Sequence, residues 1–87
     1  MKKFNGAEVF YGNINFWLDN QPNVYINADI EFTIPKIEDC LIEYDCDIAE
    51  LQEKINDSAF LQETLMERFQ INIVKLDYKY WENYNYE

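Results

Sequence analysis

Residues 24–34 read VYINADIEFTI, and apolar and polar side chains alternate there without interruption. Val24, Ile26, Ala28, Ile30, Phe32 and Ile34 hold one parity; Tyr25, Asn27, Asp29, Glu31 and Thr33 hold the other. Because side chains of an extended chain point to opposite faces in turn, this pattern predicts a strand with one face on a core and one toward water. An eleven-residue strand needs neighbours on both edges, so the rest of the chain is read for what can flank and cover it.

Residues 8–18 alternate as well, with Phe10, Ile14, Phe16 and Leu18 on one side and Val9, Tyr11 and Trp17 on the other. Gly12 interrupts that run and is read as a bulge. The sequence DNQPN at 19–23 has turn composition, so the two strands are expected to form a hairpin, with residues 1–7 as a lead-in. Pro35 closes the second strand. Residues 36–47 fit two patterns. Cys40, Ile42, Tyr44 and Cys46 alternate as in a third strand, while Ile37, Leu41, Tyr44, Ile48, Leu51 and Ile55 recur at helical spacing. The weak helix formers crowded into 39–48 tip the reading to strand, followed by a helix from Ile48 behind the capping-box sequence Asp47-Ile48-Ala49-Glu50. Asn56-Asp57-Ser58 marks a break before a second helical stripe of Leu61, Leu65 and Phe69, and residues 70–80 alternate again. The expected fold is α+β. A small antiparallel sheet of three to four strands carries one long or two short helices on one face. All 87 residues form one domain, with 82–87 as a flexible tail.

The chain contains no histidine, one serine and two threonines, which removes Ser–His and Cys–His nucleophile pairs. Cys40 and Cys46, spaced C-x5-C without further Cys or His, are not a zinc pattern and read as small buried hydrophobes. Neither a phosphate-binding glycine loop nor a calcium loop is present. The protein is therefore expected not to be an enzyme, and no cofactor or metal is implied. No apolar run reaches the ~20 residues of a membrane span, and none follows the basic start as a signal sequence would. A cytoplasmic location with reduced cysteines is expected.

Seventeen acids face seven bases, for a net charge of −10. That balance argues against direct nucleic-acid binding and against anionic membranes, and makes a basic protein the natural partner. Residues 38–67 carry ten of the acids and only Lys54. As a strand, Glu43, Asp45 and Asp47 project about 6.6 Å apart from one face. As a helix, Asp47, Glu50, Glu53 and Asp57 place four charges along ~15 Å. Duplex DNA places about nine over that length, so the acidic run has roughly half its density and reads either as a phosphate-like surface or as a solvated face. With a helix over the apolar side of the central strand, the opposite sheet face is expected to show Tyr25, Asp29, Glu31, Glu43, Asp45 and Asp47 together. A second feature is the aromatic cluster Tyr78, Tyr80, Trp81, Tyr84 and Tyr86. Tyr78 and Tyr80 read as strand core; Trp81, Tyr84 and Tyr86 read as interface anchors.

Length, a pI near 4.2, the acidic run and the clustered tyrosines resemble those of small acidic inhibitors that phages and bacteria direct against nucleic-acid enzymes: anti-restriction and anti-CRISPR proteins and nuclease immunity proteins. The likeness is one of composition, carried by no family motif. Ten Asn and ten Ile beside a single Arg fit AT-rich coding, as in a low-GC bacterium or its phage. The resemblance implies a stoichiometric inhibitor that sits in the basic nucleic-acid channel of a nuclease or CRISPR or restriction effector, partly as a nucleic-acid mimic. The alternative is a non-catalytic assembly module, self-associating as a homodimer or larger through an edge strand and the aromatic tail. A third, weaker reading is a protein that sequesters a small molecule between subunits.

Overall fold

The computed structural model describes residues 2–18 and 21–83, and of residues 17–18, 21–23, 25 and 79–83 the backbone alone. In chain order the elements are β1 (Lys3–Phe4), β2 (Ala7–Glu8), β3 (Phe10–Leu18), β4 (Gln21–Thr33), α1 (Ile37–Tyr44), α2 (Ile48–Asp57), α3 (Ala59–Arg68) and β5 (Asn72–Asn83). The fold is α+β, with β1 and β2 as a small hairpin and the other strands in one antiparallel sheet of order β3-β4-β5.

The long alternating strand is the centre of the sheet. Phe32 pairs with Phe10 on one side and Ile73 on the other; Ile30 pairs with Gly12 and Leu76. The apolar parity of β4 is buried throughout, from Val24 at 5% exposure to Phe32 at 1%. Phe10 and Phe32 stack at 5.9 Å between ring centroids. Around them lies a cluster that includes Ile30, Ile34, Cys40, Leu51, Ile55, Leu61, Leu65 and Phe69, so all three helices bury side chains on this one face.

Residues 37–44 are helix, which overturns the preferred strand reading of 36–47. The sheet position that a third strand would have taken beside β4 belongs to β5, so a strand at 36–47 would have had no ladder partner there. As a helix the segment sinks Cys40 fully into the core, packs Ile37, Leu41 and Tyr44 against it, and turns Ile42 to solvent at 77% exposure. Burial thus decided between two periods that the sequence satisfies equally. The segment ends on Asp45 in the left-handed region, φ 49°, with the Cys46 N–H donating to the Leu41 carbonyl at 3.1 Å.

The helix boundaries beyond it follow their sequence signals. Asp47 caps α2, its carboxylate accepting from the Glu50 N–H at 2.8 Å, while the Glu50 carboxylate reaches back to the Asp47 N–H at 3.4 Å. Of the two candidates for the next cap, Ser58 takes the role, its Oγ accepting from the Leu61 N–H at 3.1 Å. After α3 the chain turns through Gln70 at φ 51°. An L-residue there pays for the left-handed backbone and glycine does not. Gln70→Gly is expected to raise unfolding stability by about 0.5 to 1 kcal/mol, read as a higher urea midpoint at unchanged slope.

Two features of the strands were not expected. Asn5-Gly6, with φ of 51° and 84°, makes the tight turn of the β1–β2 hairpin within what reads as a lead-in. Strand β5 carries one extra residue at Val74 and another at Lys79, which shift its register against β4 and break its single parity. Its backbone continues in pairing with β4 through Asn83, so residues 82 and 83 belong to the strand rather than to a tail. No helix among the described residues is long and apolar enough to cross a membrane.

Candidate functional site

Two chemically different surfaces lie on opposite sides of the sheet. The helical side carries most of the charge: residues 36–68 contain ten acids and three bases. Glu38, Asp39, Glu43, Asp45, Asp47, Glu50, Glu53, Asp57, Glu63 and Glu67 are all exposed. Some of these carboxylates also hold the fold. Glu43 accepts from Arg68 at 2.9 Å, and that contact raises the guanidinium pKa, hydrogen bonding first and charge second. Arg68 also lies over the Phe69 ring, 5.6 Å from its centre. Asp45 closes α1, and Asp47 with Glu50 opens α2. Glu53 and Asp57 on α2, like Glu63 and Glu67 on α3, project into solvent without an ion pair among the described residues.

The other side is the open face of the sheet. Tyr11, Asn13 and Asn15 of β3 stand opposite Glu31, Asp29 and Asn27 of β4, and Lys75 and Asp77 of β5 stand opposite Glu31 and Asp29. The side chains form a ladder. Asn13 Nδ2 donates to Asp29 at 2.7 Å and to Asn27 at 3.0 Å, and Asn27 Nδ2 donates to Asn13 at 2.6 Å and Asn15 at 2.7 Å. Glu31 is held between Lys2 at 2.7 Å and Lys75 at 3.9 Å, which leaves its side chain only 14% exposed. The Lys2 ammonium pKa is raised, chiefly by its hydrogen bond to Glu31. Of these residues Tyr11, Asn13, Asp29, Glu31, Lys75 and Asp77 border an open depression of about 450 Å³.

The sequence-predicted residues therefore separate. Asp29 and Glu31 share the open face as expected. Glu43, Asp45 and Asp47 do not join them: with 36–47 helical, they sit in the helical layer beside Glu50, Glu53 and Asp57. The regular strand-face row of those three carboxylates is absent for the same reason. The backbones of Tyr25 and Trp81 lie in β4 and β5, paired with Glu82 and Ile26 respectively, while Tyr84 and Tyr86 lie outside the described residues. Tyr78, expected as core, is 58% exposed. Sequence reasoning passed over the asparagine ladder. Its signal was there, as Asn at 13, 15 and 27 on the polar parity of two adjoining strands.

One edge of the sheet is closed by side-chain amides. Gln52 of α2 accepts from the Tyr11 N–H at 2.8 Å and donates to the Tyr11 carbonyl at 2.9 Å, as a neighbouring strand would. Gln62 of α3 accepts from the Asn13 N–H at 3.0 Å and donates to the Ile55 carbonyl at 3.1 Å, near the end of α2. Gly12 gives the Gln62 amide its room, since a Cβ at that position would stand 2.8 Å from Gln62 Oε1. Cys40 and Cys46 form no disulfide. Burial, with Cys46 nearby, pushes the Cys40 thiol up to about 11, so it packs as a neutral group at physiological pH.

No family model, curated protein or solved structure matches this chain.

Proposed function

We propose that this is a non-catalytic binding protein whose acidic helical layer docks on the basic, nucleic-acid-binding surface of a partner protein and blocks it, in the manner of the phage and bacterial inhibitors it resembles in composition. The observation that carries this reading is the segregation of charge. Ten acids against three bases lie in residues 36–68, and the exposed carboxylates of Glu53, Asp57, Glu63 and Glu67 have no ion pair among the described residues. Such a surface steers a basic partner during diffusional encounter and competes with phosphate for the same lysines and arginines. The mimicry is of charge rather than of regular phosphate spacing, because the carboxylates come from three helices rather than one repeating row.

The test is capture by the tagged protein from a nuclease-treated lysate of its host, with and without added duplex DNA. Recovery of a basic nucleic-acid enzyme at near-equal stoichiometry, competed by DNA, is the expected result. The matching variant is Glu53→Lys, Asp57→Lys and Glu63→Lys together, since among the described residues none of these carboxylates caps a helix or pairs with a base. An acid at Asp57, the last residue of α2, opposes the helix dipole, so reversal there is not expected to harm folding. Association with the captured partner should slow by about tenfold or more at low salt. Unchanged kinetics in a folded triple variant would discard the acidic layer as the docking surface.

A further inference from the structure

The two edges of the sheet are treated differently. Gln52 and Gln62 close β3, and α2 and α3 lie against that strand. Strand β5 has no strand on its outer side among the described residues, and three of its core-face side chains stay open to solvent: Ile73 at 44%, Leu76 at 41% and Tyr78 at 58%. An edge of this kind, with apolar side chains and unpaired backbone groups, is a template for another strand. We propose that its occupant is β5 of a second copy of this chain, paired antiparallel across a twofold axis at Leu76.

The charge pattern selects that partner and that register. Lys75 and Asp77 flank Leu76 symmetrically, so a twofold at Leu76 sets each Lys75 opposite the other copy's Asp77, on the open face. The same register sets Leu76 against its own copy. Asp77 stands directly opposite Asp29 across the β4–β5 ladder, where like charges disfavour each other, and it has no ion pair within its own chain among the described residues. The extra residues at Val74 and Lys79 bend the strand at either end of the regular stretch 75–78, which confines pairing to this short span and opposes open-ended stacking. The self-repulsion of two chains of charge −10 is also relieved by this geometry. The helical layers lean toward β3, and the two β3 strands would lie five strand spacings apart, about 24 Å, beyond the ~8 Å screening length of physiological salt. Nothing in this pairing covers the acidic helical layer, so it is independent of the docking reading above.

Sedimentation equilibrium of the full chain from about 1 to about 500 μM should show a monomer–dimer equilibrium. Asp77→Lys alone, which brings four lysines together at the twofold, and Lys75→Asp alone, which brings four acids together, should each weaken the dimer by about tenfold or more. An equimolar mixture of the two variants should recover it as a heterodimer. Leu76→Cys in a Cys40→Ala, Cys46→Ala background should crosslink through its single thiol under mild oxidation. A wild-type chain monomeric across the whole range overturns the proposal. So does a dimer that persists in both single variants, which places the contact elsewhere. Should either variant fail to fold by circular dichroism, the wild-type mass and the Leu76→Cys crosslink decide together, and absence of either one overturns it.

Discussion

Phe32→Ala should cost about 3 to 5 kcal/mol of folding stability, the range for emptying a phenylalanine site in a core that cannot collapse onto it. Phe32 stands on the middle strand at 1% exposure, stacked on Phe10 and surrounded by residues from all three helices. Its neighbours are held by two strand ladders, so little movement can refill the space. For a domain of this length total stability is of order 4 to 13 kcal/mol, and a loss on that scale removes a large share of it. The measurement is urea unfolding followed by near-ultraviolet circular dichroism, with Ile42→Ala as the comparison. Ile42 is 77% exposed on α1, and its truncation should stay within about 0.5 kcal/mol of wild type. A Phe32→Ala loss no larger than that of Ile42→Ala would mean the cluster is not the core.

Gln62→Ala should cost about 2 to 3 kcal/mol, far more than its polar character would imply. The side chain is 9% exposed and joins an edge-strand N–H to the Ile55 carbonyl of α2. Truncation strands the Asn13 N–H and leaves the Ile55 carbonyl with only the 3.4 Å bond from the Ser58 N–H, and an unsatisfied buried group costs about 1 to 3 kcal/mol. The Asn13 amide proton should exchange faster with solvent as its acceptor is lost. Gly12→Ala reports on the same contact from the other side, because its new Cβ would push the Gln62 amide away. The double variant should therefore cost less than the sum of the two single ones. Strict additivity would show that Gly12 and Gln62 do not act as a unit.

The sequence and the structure agree where one physical requirement dominates. Residues 24–34 had to be a half-buried strand because no other period fits them, and Asp47 and Glu50 had to start a helix because their spacing closes a reciprocal cap. Residues 36–47 satisfied both periods, so the outcome hung on which segment fills the sheet position beyond β4, a long-range fact that local pattern does not carry. For the same reason the acids were legible as chemistry but not as a surface: turning 36–47 into a helix carried Glu43, Asp45 and Asp47 to the opposite side of the sheet from Asp29 and Glu31. No local pattern marks Gln52 or Gln62, and only the placement of two helices against β3 turns them into substitutes for a strand. Asn5-Gly6 was a local signal of a hairpin that lay in plain sight, masked by the shortness of the strands on either side of it.

The pairing of β4 with β5 also has a consequence for how the chain is made. About forty residues separate the end of β4 from the start of β5, and all three helices lie between them. At roughly 5 to 20 residues per second, the ribosome extends the chain for several seconds after β4 is complete before β5 exists. Through that interval the central strand has β3 on one side only, and the helices emerge before the sheet they cover is whole. The nascent chain must therefore either wait as a loose hairpin or be shielded by whatever first meets it outside the exit tunnel. Slowing translation across α1–α3 would lengthen this exposure, so synonymous codon changes in that region could alter the yield of folded protein without altering a single residue.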